Sequence, residues 1–200
     1  MTSEERRAAL VEATLPLLRE SGGAVTTKEI AAAAGVAEGT VFRAFETKDE
    51  LMRACVGQVM DTSGVRAALR EVDRSLPLAD RLIVGVELMQ HHVEGIVSLM
   101  SMLHTTGVTI PRPEGHRGPP RRRGDPEVDA ELVALIGPDA AHLRVPVDRT
   151  VAYLSMLTLA SVHPFLPGTK TSPAEVVDVL LNGVLSPDTK PCGTTESETR

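Results

Sequence analysis

Glu87, His91 and Glu94 stand at i, i+4 and i+7, so a helix carries two carboxylates and an imidazole on one face, with His92 beside them. Donors of this kind hold transition metals in helical bundles, where another helix supplies a matching Glu-x-x-His motif. No such motif occurs elsewhere in the chain. The face therefore reads as a polar surface, and a metal-binding protein or an enzyme built on Glu87, His91 and Glu94 is the alternative. Cys55 and Cys192 share no metal or redox spacing. No nucleophile is paired with a base, and no glycine-rich nucleotide loop follows a strand, so neither an enzyme nor a bound cofactor is expected. Arg121, Arg122 and Arg123 lie in 111–127, among five prolines and three glycines, which reads as a solvated, mobile loop.

The elements that position these groups are helices. Residues 4–20 form an amphipathic helix with Ala8, Val11, Leu15 and Leu18 at helical spacing, a Thr2/Glu5 capping box, and Pro16 as a kink near its end. Gly22 and Gly23 close it. Thr26 and Glu29 form a second capping box, starting a short helix with Ile30 and Ala34 on one face. Gly35 follows where a left-handed residue turns the chain. Another short helix, about Ala37 to Phe45, has Val41 and Phe45 as its core face. Two short helices joined by a glycine turn describe a helix-turn-helix.

From Lys48, with Thr47 as N-cap, one long helix is expected to run toward Pro77, with Leu51, Met52, Cys55, Val59, Val65 and Leu69 on its apolar face. Residues 78–105 are helical with a break near Gly95. Helices are also expected over 126–136, 147–162 and 173–186. The last is capped by Ser172 and apolar on two faces, so it must be buried on two faces. The predicted fold is all-α with about nine helices: a helix-turn-helix domain over 1–47, a helical ligand-binding and dimerisation domain over 48–186, and a disordered tail over 187–200.

Composition bounds the function. With 42% hydrophobic residues the 200-residue chain can build a real core, and no run approaches the roughly 20 apolar residues a membrane span needs. The charged start MTSEERRAAL has no secretory apolar stretch, which points to the cytoplasm. The net charge is −6, and residues 1–60 hold seven Lys/Arg against nine Asp/Glu. Any contact with phosphate must then be local, because no broad basic field exists. The aromatic set is Phe42, Phe45, Tyr153 and Phe165, too few for base-stacking on single strands.

The segment VTTKEIAAAAGVAEGTVFRAFETKDEL, with its spaced Gly35, Gly39, Phe45, Lys48 and Leu51, resembles the TetR family of transcriptional regulators over roughly residues 6–55. That resemblance implies a homodimer that binds double-stranded DNA at an operator of two half-sites, and a repressor role with a small molecule releasing the DNA. It makes the second short helix the recognition helix, with Thr40 and Arg43 pointing at DNA and Gly39 allowing close approach to the sugar-phosphate chain. It makes Lys48 a phosphate-gripping lysine and Thr27 a phosphate donor at a helix N-terminus. Phe42 stands where the family usually has tyrosine, so one hydroxyl-to-phosphate bond is missing. Ala44 replaces a common aromatic or histidine, and Glu38 adds a negative charge beside the groove. The resemblance further implies an effector cavity, for which Met89, His92, Met100, Leu103, Tyr153 and Met156 are the expected lining, with a filled apolar core as the alternative; methionine suits an adaptable, apolar pocket. Helices near 147–162 and 173–186 would pair with their mates as a four-helix bundle.

Overall fold

Helical spacing of apolar residues and well-placed caps dictate the architecture. The computed structural model describes residues 2–21, 24–105, 125–162 and 171–184. Among these residues there are nine α-helices and no strand: α1 (Ser3–Ser21), α2 (Thr27–Ala33), α3 (Glu38–Ala44), α4 (Lys48–Met60), α5 (Ser63–Glu71), α6 (Leu78–Thr105), α7 (Pro126–Ile136), α8 (Val147–Val162) and α9 (Pro173–Asn182). A 3-10 segment, Gly137–His142, follows α7. The all-helical fold class expected from the sequence is the one found. The Gly22–Gly23 stop, the arginine run at 121–123 with most of its loop, and the 187–200 tail lie outside the described residues.

Caps set most helix starts. The Thr2 amide donates to Glu5 at 2.6 Å while the Glu5 amide donates to Thr2 Oγ1 at 3.1 Å. Reciprocal boxes of the same kind open α2 (Thr26/Glu29) and α9 (Ser172/Glu175). Each satisfies amides that an α-helix leaves orphaned, a contribution of about 1 kcal/mol. Thr26, first through its amide and then its hydroxyl, holds the Glu29 carboxyl below the usual carboxylate range, with Lys48 adding to the effect. Gly35 takes φ +65°, the left-handed turn between α2 and α3.

Three local expectations change. α1 runs through Pro16 to Ser21, and its buried stripe is Leu10, Val11, Thr14 and Leu18, whereas Ala8 is exposed. The buried Thr14 hydroxyl donates to the Leu10 carbonyl one turn back, so this polar group is satisfied inside the helix. The long helix expected from Lys48 to Pro77 is two helices. Asp61 is extended and ends α4, and its carboxylate accepts from the Ser63 amide (3.1 Å) and hydroxyl (2.5 Å), which starts α5. Asp, Thr and Ser in a row compete with the helix for backbone partners, which the apolar spacing of Val59, Val65 and Leu69 does not reveal. Conversely, α6 continues unbroken through Gly95.

The buried residues form two cores. The first joins Leu10 and Leu18 of α1, Ile30 of α2, Val41 of α3, and Leu51, Met52 and Cys55 of α4 to Leu99 and Leu103 near the end of α6. Burial pushes the Cys55 thiol up to about 12, so it packs as a small apolar group. The second core gathers Leu69, Leu82, Val86, Leu132, Leu135, Ile136, Val151, Leu154, Val176 and Val177 from α5 through α9. Gly85 is the contact point of α6 with its neighbours: a Cβ there would meet Leu135 Cδ2 at 2.9 Å and Leu69 Cδ2 at 3.5 Å. Buried Arg81 pairs with Asp139 and donates to the Arg74 carbonyl at 3.1 Å, pinning the distal end of α6. Buried Gln90 donates to Ser161 Oγ at 2.7 Å and to the Thr171 carbonyl at 3.0 Å, tying α6 to the end of α8 and the approach to α9. α6 is thus one rod whose first half belongs to the second core and whose last turns belong to the first.

Candidate nucleic-acid interface

α3 is held from one side only. Val41 and Ala44 are buried in the first core, and Phe45 beyond the helix is 2% exposed. Glu38, Gly39, Phe42 and Arg43 occupy the opposite face and are exposed, with Thr40 half-buried at its edge. A large apolar ring in water is worth noticing, and Phe42 is 53% exposed. A Cβ at Gly39 would meet nothing within 4 Å, so this glycine serves no packing need inside the protein.

Thr27 and Lys48 flank that face. Thr27, the first residue of α2, does not offer a free hydroxyl: its Oγ1 donates to Glu38 Oε1 at 2.6 Å, linking the starts of α2 and α3. Lys48 is the first residue of α4 and is half-buried. The positive end of the α4 dipole disfavours a cation there, and the Glu29 carboxylate of the α2 capping box offsets this by attracting its charge. The sequence-derived set Thr27, Gly39, Thr40, Phe42, Arg43 and Lys48 is therefore carried by α2, α3 and the start of α4.

On a face that meets DNA, Glu38 would oppose phosphate by charge. Glu38→Gln keeps an acceptor for Thr27 and removes the charge, so affinity for a random duplex should rise severalfold at low salt. A filter-binding or anisotropy titration with a scrambled duplex checks this; unchanged or weaker binding would place Glu38 away from the DNA.

The expected pocket lining divides between two helices, Met89, His92, Met100 and Leu103 on α6 and Tyr153 and Met156 on α8. Met89 packs at the edge of the second core, Met100 at the edge of the first, and Leu103 is fully buried within the first. His92 is half-buried; burial pushes its pKa down, opposed by the Asp61 carboxylate, so the imidazole favours its neutral form. Tyr153 and Met156 are 39% and 45% exposed on α8, pointing away from the protomer's own core. On α6, Glu87 and His91 are exposed and Glu94 is half-buried. Among the described residues no three histidine, cysteine or acidic side chains gather in a metal-holding group. No helix among them is long and apolar enough to cross a membrane.

Two functional-site neighbours escape a sequence reading. Arg7 of α1 donates to the Ala44 carbonyl at the end of α3 and pairs with Glu50 of α4 at 2.8 Å. In sequence, Arg7 is one of two adjacent arginines on the polar flank of α1, and nothing separates it from Arg6.

Residues 10–55 match the model of a family described as bacterial regulatory proteins, tetR family. Solved structures share the fold across most of the chain. A tetR-family transcriptional regulator from Streptomyces coelicolor is 22% identical, covering 90% of this chain and 78% of its own at a TM-score of 0.54. A second TetR transcriptional regulator from Streptomyces coelicolor is 20% identical, with 88% and 97% covered and a TM-score of 0.50. The TetR family transcriptional regulator PfmR from Thermus thermophilus is 15% identical, with 88% and 99% covered and a TM-score of 0.51. At these identities the likeness to the solved structures is one of fold.

Proposed function

We propose that this chain, whose residues 10–55 match the tetR-family model, is a dimeric, sequence-specific DNA-binding repressor released from an inverted-repeat operator by a small apolar molecule. The observation that carries this reading is the outward face of α3, where Glu38, Gly39, Phe42 and Arg43 are exposed opposite a face sealed by Val41 and Ala44. A helix so presented fits the major groove, where a guanidinium finds guanine acceptors and an apolar ring finds the thymine methyl. Because the module has no positive excess, specificity rests on these few contacts and on having two modules per dimer.

A second copy of the chain fits the outer face of α8 and α9. Tyr153, Met156 and Leu159 recur every three residues along α8 and are 39–45% exposed, and Val179 of α9 is 41% exposed. Inside the protomer, α8 and α9 already bury Val151, Leu154, Val176 and Val177. Helices apolar on both faces belong in a bundle, here one of four helices about a two-fold axis.

α6 supports the proposed release. Its last turns pack into the core of the DNA-binding module, so displacing the rod displaces the reading head. Between Gln90 and Leu99 no residue of α6 is fully buried, although Val93, Ile96 and Val97 are aliphatic. We place the effector along this stretch, touching Met89, His92 and Met100. Two half-sites sit about 34–36 Å apart or at multiples of a turn, so a small change in head separation loosens both grips.

The test is salt-titrated binding of the purified protein to its own upstream DNA, to a scrambled duplex, and to fragments selected from the whole genome. The expected result is a preferred inverted-repeat fragment. No preferred fragment in the genomic selection would reject the reading.

A further inference from the structure

α3 has only seven residues, and its N-cap, Ala37, makes no side-chain hydrogen bond. A helix of two turns has no independent stability, so the angle at which it projects is set by what grips it from outside. Its inward side chains fix one face in the core and the Phe45 amide donates to the Val41 carbonyl at 2.8 Å, while the Ala44 carbonyl at its C-terminal end takes its partner from outside the helix.

Arg7 takes hold of that end. One guanidinium nitrogen, Nη1, donates to the Ala44 carbonyl, and Nη2 donates to Glu50 Oε1 at 2.8 Å. The guanidinium also lies over the Phe45 ring, 4.1 Å from its centroid. The second oxygen of Glu50, Oε2, accepts from the Glu46 amide at 2.8 Å, and the Glu50 amide donates to Thr47 Oγ1 at 3.1 Å. The Arg7 hydrogen bond, ahead of the Glu46 amide, holds the Glu50 carboxyl below the usual carboxylate range. One guanidinium and one carboxylate thus tie α1, the end of α3, the turn at 45–47 and the first turn of α4.

We propose that Arg7 is a positioning residue for DNA recognition: it fixes the orientation of α3 and of the turn leading to Lys48 without touching DNA itself. This rests on the DNA-binding reading above. Arginine is required because a planar fork can bond a carbonyl and a carboxylate while stacking on a ring; the point charge of lysine cannot make all three contacts.

Arg7→Lys is the informative variant, because it keeps the charge and the long side chain and is less disruptive to folding than Arg7→Ala. Two readouts are taken well below the melting temperature, on full-length protein. Without DNA, amide hydrogen exchange at Val41–Phe45 should rise about tenfold or more relative to the buried amides of α1 and α4, the scale of one charge-assisted hydrogen bond lost. With DNA, affinity for the preferred fragment should fall about tenfold while affinity for a scrambled duplex stays within about twofold, since no phosphate contact is removed. Glu50→Gln should give the same pattern, and the double variant should cost less than the sum of the two. Unchanged exchange in α3 overturns the clamp whether or not DNA binds. Raised exchange with full affinity for the preferred fragment overturns the positioning role and leaves a stability contact. Raised exchange in a protein whose wild type prefers no fragment confines the failure to the regulatory reading.

Discussion

Alanine at both Arg43 and Lys48 is expected to remove the proposed preference for an operator over a scrambled duplex while leaving helicity and melting temperature near the wild-type values. Neither side chain belongs to either core, so both helices should keep their apolar packing. The two halves of the effect separate. A bidentate arginine contact to a base is worth about 1–3 kcal/mol, so a two-fold dimer loses about 2–6 kcal/mol of discrimination when both Arg43 copies go. Arg43→Ala alone should then weaken operator binding by well over an order of magnitude and leave scrambled DNA nearly untouched. Lys48→Ala alone should weaken both duplexes alike and make binding less sensitive to salt by about one counterion per module. Arg144→Ala, an exposed charge between the 3-10 segment and α8, controls for net charge. Fluorescence anisotropy across a salt series reads all four variants beside the wild type. Equal loss on both duplexes for Arg43→Ala would move that residue from the bases to the backbone, and wild-type binding by the double variant would remove α3 as the reading helix.

Aspartate at Met156 together with Leu159 is expected to give a folded monomer that no longer holds an operator. Both residues are more than 40% exposed in the protomer, so charge there is tolerated by the isolated chain. In a dimer packed on this face, each carboxylate must be desolvated at a cost of several kcal/mol, which weakens association by about three orders of magnitude or more. Sedimentation velocity reports the change in mass, and circular dichroism checks that the helices persist. DNA binding falls with dimerisation because one module alone cannot reach both half-sites. A dimer that survives both aspartates would place the two-fold axis elsewhere on the molecule.

The helix-turn-helix elements are legible in the sequence because they are specified by local chemistry. A capping box needs residues three apart, a glycine turn needs one residue at positive φ, and a short amphipathic helix needs two apolar positions. Thr26/Glu29, Gly35 and Val41/Phe45 supply all three within 20 residues, and α2 and α3 follow. Where local signals compete, apolar spacing misleads. Asp61-Thr62-Ser63 ends α4 and caps α5, although the aliphatic residues on either side keep a helical period. Gly95 breaks nothing, because a lone glycine costs only about 1 kcal/mol in a helix otherwise held at both ends by cores.

Contacts between distant segments were a different matter. Thr27 and Glu38 are 11 residues apart, Arg7 and Ala44 are 37 apart, and Gln90 reaches Ser161 across 71. No periodicity encodes which polar group on one helix meets which on another, since that depends on crossing geometry fixed by side chains of both cores at once. The pocket list shows the same limit. Met89, Met100, Tyr153 and Met156 share a chemistry but not a place: two lie on α6 against different cores, and two face outward from α8. The sequence by itself determined α2, the glycine turn, α3 and the helix-turn-helix that they compose, because each is a property of a few neighbouring residues. Tertiary structure alone decided that α6 serves both cores, that Tyr153 and Met156 face outward, and that Arg7 grips the end of α3, because these follow from how the described helices pack together.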